Sequence, residues 1–114
     1  MDLGLEVRDF EGWAVLSVSG EIDMATAPSL RERLHALLAE NKSNLVVDLD
    51  DVGFLDSTAL GVLVGVLKRA RTEGGEVRIA STQPRVRKVF EITRLDSAFD
   101  LYDSVEEAVR GAQE

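Results

Sequence analysis

The chain contains no cysteine and only one histidine, His35, among its 114 residues. The absence of cysteine excludes disulfides and thiol chemistry, and a single imidazole is too few for a histidine-rich metal site. Binding of Mg²⁺ or Ca²⁺ by carboxylates alone stays open, although no motif in the sequence supports it. The sequence therefore predicts a protein with no cofactor and no bound metal.

Long apolar runs are also missing. The longest, residues 59–67, is interrupted by two glycines and falls far short of the ~20 residues that span a bilayer. The N-terminal residues lack the basic flank and the apolar stretch of a secretory signal. We expect a cytoplasmic protein that does not bind a membrane.

Aromatic residues make up only 5% of the chain, whereas hydrophobic residues make up 45% and charged residues 30%. This composition predicts a globular fold with a core of leucine, valine, isoleucine and alanine. The formal net charge of −8 argues against nucleic acid as a partner, because such proteins use clustered Lys and Arg to neutralise phosphates. The length suits one domain, which we expect to occupy residues 1–114.

Apolar periodicity and turn signals divide the chain into strands and helices. The predicted elements are strands over 3–7 and 13–18, a helix from about 26, a doubly buried strand over 45–49, a helix over 57–71, a strand over 76–80, a helix from 84, a weak strand over 99–101 and a short helix capped by Ser104. The order β-β-α-β-α-β-α-(β)-α predicts an α/β fold in which helices cover a mixed sheet.

The helix over 57–71 contains Gly61 and Gly65, which share one helical face. Each glycine lowers the stability of a helix by roughly 1 kcal/mol relative to alanine, so we expect the two glycines to improve packing in return. We predict that this face packs tightly against another backbone.

The sequence contains no recognisable catalytic constellation. Ser57 does not lie in a Gly-x-Ser-x-Gly motif, and His35 is the only imidazole available as a base. No Walker-type loop is present, and the two helical glycines lie too late to form a dinucleotide loop. The acidic residues Asp48, Asp50 and Asp51 are typical of turns and caps, so we expect a protein that is not an enzyme.

Residues 54–62, with the sequence Phe-Leu-Asp-Ser-Thr-Ala-Leu-Gly-Val, place a serine between a strand and an apolar helix. Taken alone, Asp56-Ser57 is an ordinary helix cap. The segment nevertheless resembles the signature of bacterial anti-sigma factor antagonists, which are small single-domain STAS proteins. The resemblance extends over nearly the whole chain and includes the turns at 20–23 and 73–76 and the helix over 84–90.

The resemblance implies a binding protein controlled by phosphorylation. Its partner would be an anti-sigma factor with serine kinase activity, and binding would free a sigma factor for transcription. The family pattern places the phosphorylated residue at Ser57, with Thr58 as the second choice, and implies a PP2C-type phosphatase that removes the phosphate. It also places Asp23, Asp56 and Ala59 with these two residues in the partner-binding surface. Many members have glycine where this chain has Ala59, but alanine suits a helical first turn.

Phosphate at Ser57 would add about −1.5 to −2 charges at a helix N-terminus, which tolerates negative charge. If Asp23 and Asp56 lie nearby, the modification would concentrate negative charge where a partner docks. One alternative keeps the fold but makes the chain a stand-alone STAS subunit of a transporter or signalling assembly. Such a subunit would be indifferent to substitution of Ser57.

Overall fold

The computed structural model describes residues 2–111, which form a five-stranded mixed sheet. The strands occur in chain order across the sheet. Strand β1 is antiparallel to β2, and the remaining neighbours are parallel. The strands are β1 (Gly4–Phe10), β2 (Trp13–Ile22), β3 (Asn44–Leu55), β4 (Glu76–Ala80) and β5 (Leu101–Tyr102).

Four α-helices and one short 3₁₀ turn connect or follow these strands in residues 2–111. They are α1 (Ala27–Ala39), α2 (Ser57–Thr72), α3 (Pro84–Ile92), a 3₁₀ turn at Leu95–Ser97 and α4 (Val105–Arg110). The predicted α/β class and element order are confirmed, with the 3₁₀ turn as an addition. Among these helices, none is long and apolar enough to cross a bilayer.

The central strand β3 contributes to both faces of the sheet, as its apolar sequence predicts. Leu45, Val47 and Leu49 are fully buried in the larger cluster, which also contains the buried residues of α1, α2 and α3. Val46 points to the opposite face and joins a smaller cluster with residues of α4. Because neighbouring residues of a strand face opposite sides, these helices cover the two faces of the sheet.

Strands β2 and β3 are longer than the sequence predicts. Gly20 adopts a φ of 113°, and irregularities in the β2–β3 register on either side of this glycine allow pairing to continue. The predicted end of β2 at residue 18 is therefore wrong, since the strand runs to Ile22 and β3 runs to Leu55. The extension places the start of α2 beside the loop that follows β2. The weak strand predicted at 99–101 is displaced to Leu101–Tyr102.

The predicted tight packing at Gly61 and Gly65 is wrong. Both residues are exposed, and a Cβ atom added at either would meet no heavy atom within 4 Å. Residues 59–67 are apolar on every side, so this part of the helix alone does not reveal which side faces solvent. The structure shows that Leu60, Leu63 and Leu67 face the core and that the two glycines form part of the outer surface.

Replacing either glycine with alanine is expected to stabilise the protein by about 0.5–1 kcal/mol, because alanine loses less backbone entropy in a helix. Urea unfolding of Gly61→Ala and Gly65→Ala would measure the change. Gly74→Ala provides the opposite control, because Gly74 has a φ of 81° and alanine would be strained there. A loss of stability in both helical variants would show that the helix packs differently from this description.

Candidate functional site

Asp56 caps helix α2 and leaves Ser57 exposed. The Asp56 carboxylate accepts hydrogen bonds from the backbone N–H groups of Thr58, at 2.9 Å, and Ala59, at 3.2 Å. Ser57 is the first helical residue, and no group in residues 2–111 forms a hydrogen bond with its hydroxyl. The hydroxyl is therefore open to solvent at the positive end of a 16-residue helix.

The loops after β2 and β3 lie side by side. Ile22 and Leu55 are paired in the parallel register, and the Asp56 N–H donates a hydrogen bond of 3.1 Å to the Ile22 carbonyl. Asp23, Met24, Ala25 and Asp56 line one open depression of about 520 Å³. The structure thus brings Asp23 and Asp56 together, which meets the condition stated above for a concentration of negative charge next to Ser57.

The conformation of Asp23 is fixed by the chain that follows it. Its carboxylate accepts hydrogen bonds from the backbone N–H groups of Ala25, at 2.9 Å, and Thr26, at 3.1 Å. The buried Thr26 hydroxyl donates to the Glu21 carbonyl at 2.8 Å, which closes the turn. The hydrogen bonds from Thr26 and Ala25 lower the pKa of Asp23, so this carboxylate is ionised at neutral pH.

Two large apolar side chains lie exposed at the same end of the sheet, and the sequence analysis did not select them. Met24 is 75% exposed and lines the depression between the two acidic residues. Phe54 is 41% exposed and pairs with Glu21 near the end of β3. Exposed apolar side chains among polar residues are typical of protein-binding surfaces. The alternation of side chains along a strand could have identified Phe54, because its side chain points to the other face of the sheet from that of the buried Leu55.

Ala59 does not belong to the exposed surface. The residue is fully buried in the main core cluster, so its side chain has no route to a partner in this structure. The expectation that Ala59 contacts a partner therefore needs correction: it holds the first turn of α2 against the core and donates its N–H to Asp56. Thr58, by contrast, is exposed.

Asp48, Asp50 and Asp51 lie within strand β3, so the expectation that they serve in turns or caps is wrong. The Asp50 carboxylate accepts hydrogen bonds of 2.7 Å from both the N–H and the hydroxyl of Thr82, and these bonds lower its pKa. Asp48 accepts from the Asp50 N–H, while burial raises the pKa of Asp48. No group of three or more His, Cys, Asp and Glu residues suited to hold a metal ion occurs in residues 2–111.

Removing the cap is expected to cost stability. Asp56→Ala should lower the free energy of unfolding by about 1 kcal/mol, because the N–H groups of Thr58 and Ala59 lose their acceptor. Asp56→Asn should lose less, since an amide oxygen also caps a helix. Urea unfolding would measure both variants. Asp51→Ala is the control, because Asp51 is exposed and its carboxylate accepts no hydrogen bond within residues 2–111. Equal losses in all three variants would argue against the cap.

Comparison with known proteins identifies the family. The sequence profile of the STAS domain matches residues 5–108. An anti-sigma-B factor antagonist of Bacillus subtilis is 37% identical over 101 residues, which cover 89% of this chain and 92% of that protein. An anti-sigma-B factor antagonist of Staphylococcus aureus is 31% identical, with 93% of this chain and 98% of that protein covered.

Solved structures agree with the sequence comparison. The crystal structure of an anti-sigma factor antagonist from Mycobacterium paratuberculosis superposes with a TM-score of 0.89 at 35% sequence identity. The match covers 98% of this chain and 95% of that chain. Together with the sheet order and the matched residues 5–108, these similarities show that the chain belongs to the STAS domain family.

Proposed function

We propose that this chain is an anti-sigma factor antagonist that binds an anti-sigma factor with serine kinase activity and thereby releases a sigma factor. Phosphorylation of Ser57 by that kinase switches binding off, and a PP2C-type phosphatase restores it. The names of the relatives from Bacillus subtilis and Staphylococcus aureus support the antagonist function. The phosphorylation cycle is supported by the geometry at Ser57.

The exposed, unbonded hydroxyl of Ser57 is the observation that carries the proposal. A serine that capped the helix would have its oxygen occupied by backbone N–H groups. Here the Asp56 carboxylate fills that role, so a kinase can approach the Ser57 oxygen without breaking a bond that stabilises the fold. Thr58 is also exposed and remains the second acceptor.

The partner-binding surface that we propose comprises Asp23, Met24, Phe54, Asp56, Ser57 and Thr58. It combines Met24 and the two acidic side chains around one depression with the exposed Phe54 near the end of β3. The apolar side chains supply contact area, and the carboxylates can accept hydrogen bonds from donor groups of the partner. Phosphate on Ser57 would add negative charge and volume next to Asp56 on this surface.

The fold itself tolerates that charge. Asp56 is the acidic N-cap of α2, and the first turn beyond it contains no acidic residue, so the positive end of the helix can accept further negative charge. The modification is therefore expected to act on the interface and to leave the folded structure intact.

The experiment is incubation with the cognate anti-sigma kinase and ATP, followed by mass spectrometry to locate the phosphate. The expected result is one phosphate on Ser57, which is absent in Ser57→Ala and retained in Thr58→Ala. Treatment with the PP2C-type phosphatase should restore the unmodified mass. Phosphate only on other residues would refute the switch, and absence of both modification and binding would favour the alternative role in a transporter or signalling assembly.

A further inference from the structure

Strand β1 forms one edge of the sheet and is available for pairing. It is seven residues long and pairs with β2 along its whole length, while its other edge meets no strand within residues 2–111. An open edge of this length presents unpaired backbone N–H and C=O groups, which can bind another strand. The opposite edge of the sheet is β5, which has only two residues and therefore presents far fewer backbone groups for pairing.

The charges on β1 are self-complementary. Glu6 and Arg8 are exposed and lie on the same face of the sheet, two residues apart. If two copies of β1 paired in antiparallel fashion about a two-fold axis at Val7, Glu6 of each copy would stand opposite Arg8 of the other. This register also overlaps all seven residues of both strands. Moving the axis to Glu6 or to Arg8 would instead place like charges opposite each other.

Neither charge forms a close ion pair in residues 2–111, although the charge of Arg8 acts on the Asp48 carboxylate and opposes the rise in its pKa. Glu6 and Arg8 take part in none of the ion pairs found there, and Arg8 lies over the Phe10 ring at 5.6 Å. Both side chains are exposed and neither is held in a close ion pair, so both can reach a second copy.

The other face of β1 fits the same register. Leu5 and Val7 are half-buried against the main core, and Val7 would meet its own equivalent at the axis. Leu5 would stand opposite Asp9, whose carboxylate is paired with Lys42 at 3.2 Å. Beside Leu5, an open groove of about 420 Å³ continues onto α1 and is lined there by Ser29, Glu32, Arg33 and Ala36.

We propose that the open edge of β1 pairs with the β1 edge of a second copy of this chain, forming a two-fold dimer with a continuous ten-stranded sheet. Backbone hydrogen bonds along seven residues give the affinity, and the two Glu6–Arg8 pairs set the register. The groove beside α1 provides further contact area on the helical face. Because one strand pair buries less area than a large obligate interface, we expect a dissociation constant in the micromolar range.

Sedimentation equilibrium from low micromolar to about 500 µM protein tests the proposal. The expected result is a reversible monomer–dimer equilibrium for the unmodified chain. Glu6→Arg alone and Arg8→Glu alone should each weaken dimerisation at least tenfold, because like charges then face each other across the axis. An equimolar mixture of the two variants should form a heterodimer, since each arginine of the first then faces a glutamate of the second.

The mixture guards against misfolding as an explanation, because misfolded variants would not recover the dimer. Amide hydrogen exchange provides a second measurement: protection of β1 amides should rise with protein concentration. A chain that stays monomeric up to 500 µM would overturn the proposal. A dimer that is unaffected by both single variants, or a mixture that fails to restore association, would overturn it as well.

Discussion

Ser57→Glu is expected to weaken binding of the anti-sigma factor about a hundredfold. Repulsion between the added charge and one opposing carboxylate of the partner, ~5 Å away at an effective dielectric of ~20, is about 3 kcal/mol, which corresponds to roughly that change in affinity. The added charge joins the Asp23 and Asp56 carboxylates on the proposed binding surface. Isothermal titration calorimetry with the purified anti-sigma factor would measure the dissociation constants.

Ser57→Gln is the matched control, because glutamine has the size of glutamate without its charge. If charge is the main cause of the weaker binding, Ser57→Gln should bind the anti-sigma factor much more tightly than Ser57→Glu. If steric exclusion is the main cause, both variants should bind weakly. Ser57→Ala should bind like the unmodified protein. The stability of Ser57→Glu should be unchanged or up to about 1 kcal/mol higher, since the residue begins α2. Equal affinity of Ser57→Ala and Ser57→Glu would contradict the switch.

Phe90→Ala is expected to have the largest effect on stability, a loss of about 3–5 kcal/mol in the free energy of unfolding. Phe90 is fully buried and packs edge-on against Phe99, with ring centroids 5.8 Å apart and planes at 87°. The substitution removes this contact and leaves a cavity beneath α3. Urea unfolding followed by circular dichroism would measure the loss.

Ile92→Ala is the control for Phe90→Ala. It lies in the same helix but is 69% exposed, so its truncation should change stability by less than about 0.5 kcal/mol. Losses of similar size in the two variants would contradict the described packing of α3.

The beginning of α2 could be predicted from sequence because its signals are local. Asp56 and Ser57 are preferred at helix N-termini, and the apolar strand before them fixes where the loop must fall. The proximity of Asp23 and Asp56 follows from parallel pairing of β2 and β3, whose carboxyl ends meet at one edge of the sheet. These inferences required a sheet order but no knowledge of side-chain packing.

The remaining features depend on tertiary structure. Residues 59–67 taken alone are apolar on all sides, so the outward face containing Gly61 and Gly65 was assigned to the interior, although Ser57, Lys68 and Thr72 continue that face with polar residues. The continuation of β2 past Gly20 depends on register irregularities that only the paired β3 reveals. Burial of Ala59 and exposure of Met24 likewise follow from the rotation of α2 and the path of the loop, which residue type alone does not determine.

The affinity of the anti-sigma factor for the protein before and after stoichiometric phosphorylation of Ser57 tests the central claim most directly. The account predicts a dissociation constant at least a hundredfold higher for the phosphorylated protein, with full recovery after the phosphatase removes the phosphate. Equal dissociation constants for the two forms would contradict it, because an exposed oxygen at the head of α2 would then accept a phosphate without consequence for the partner.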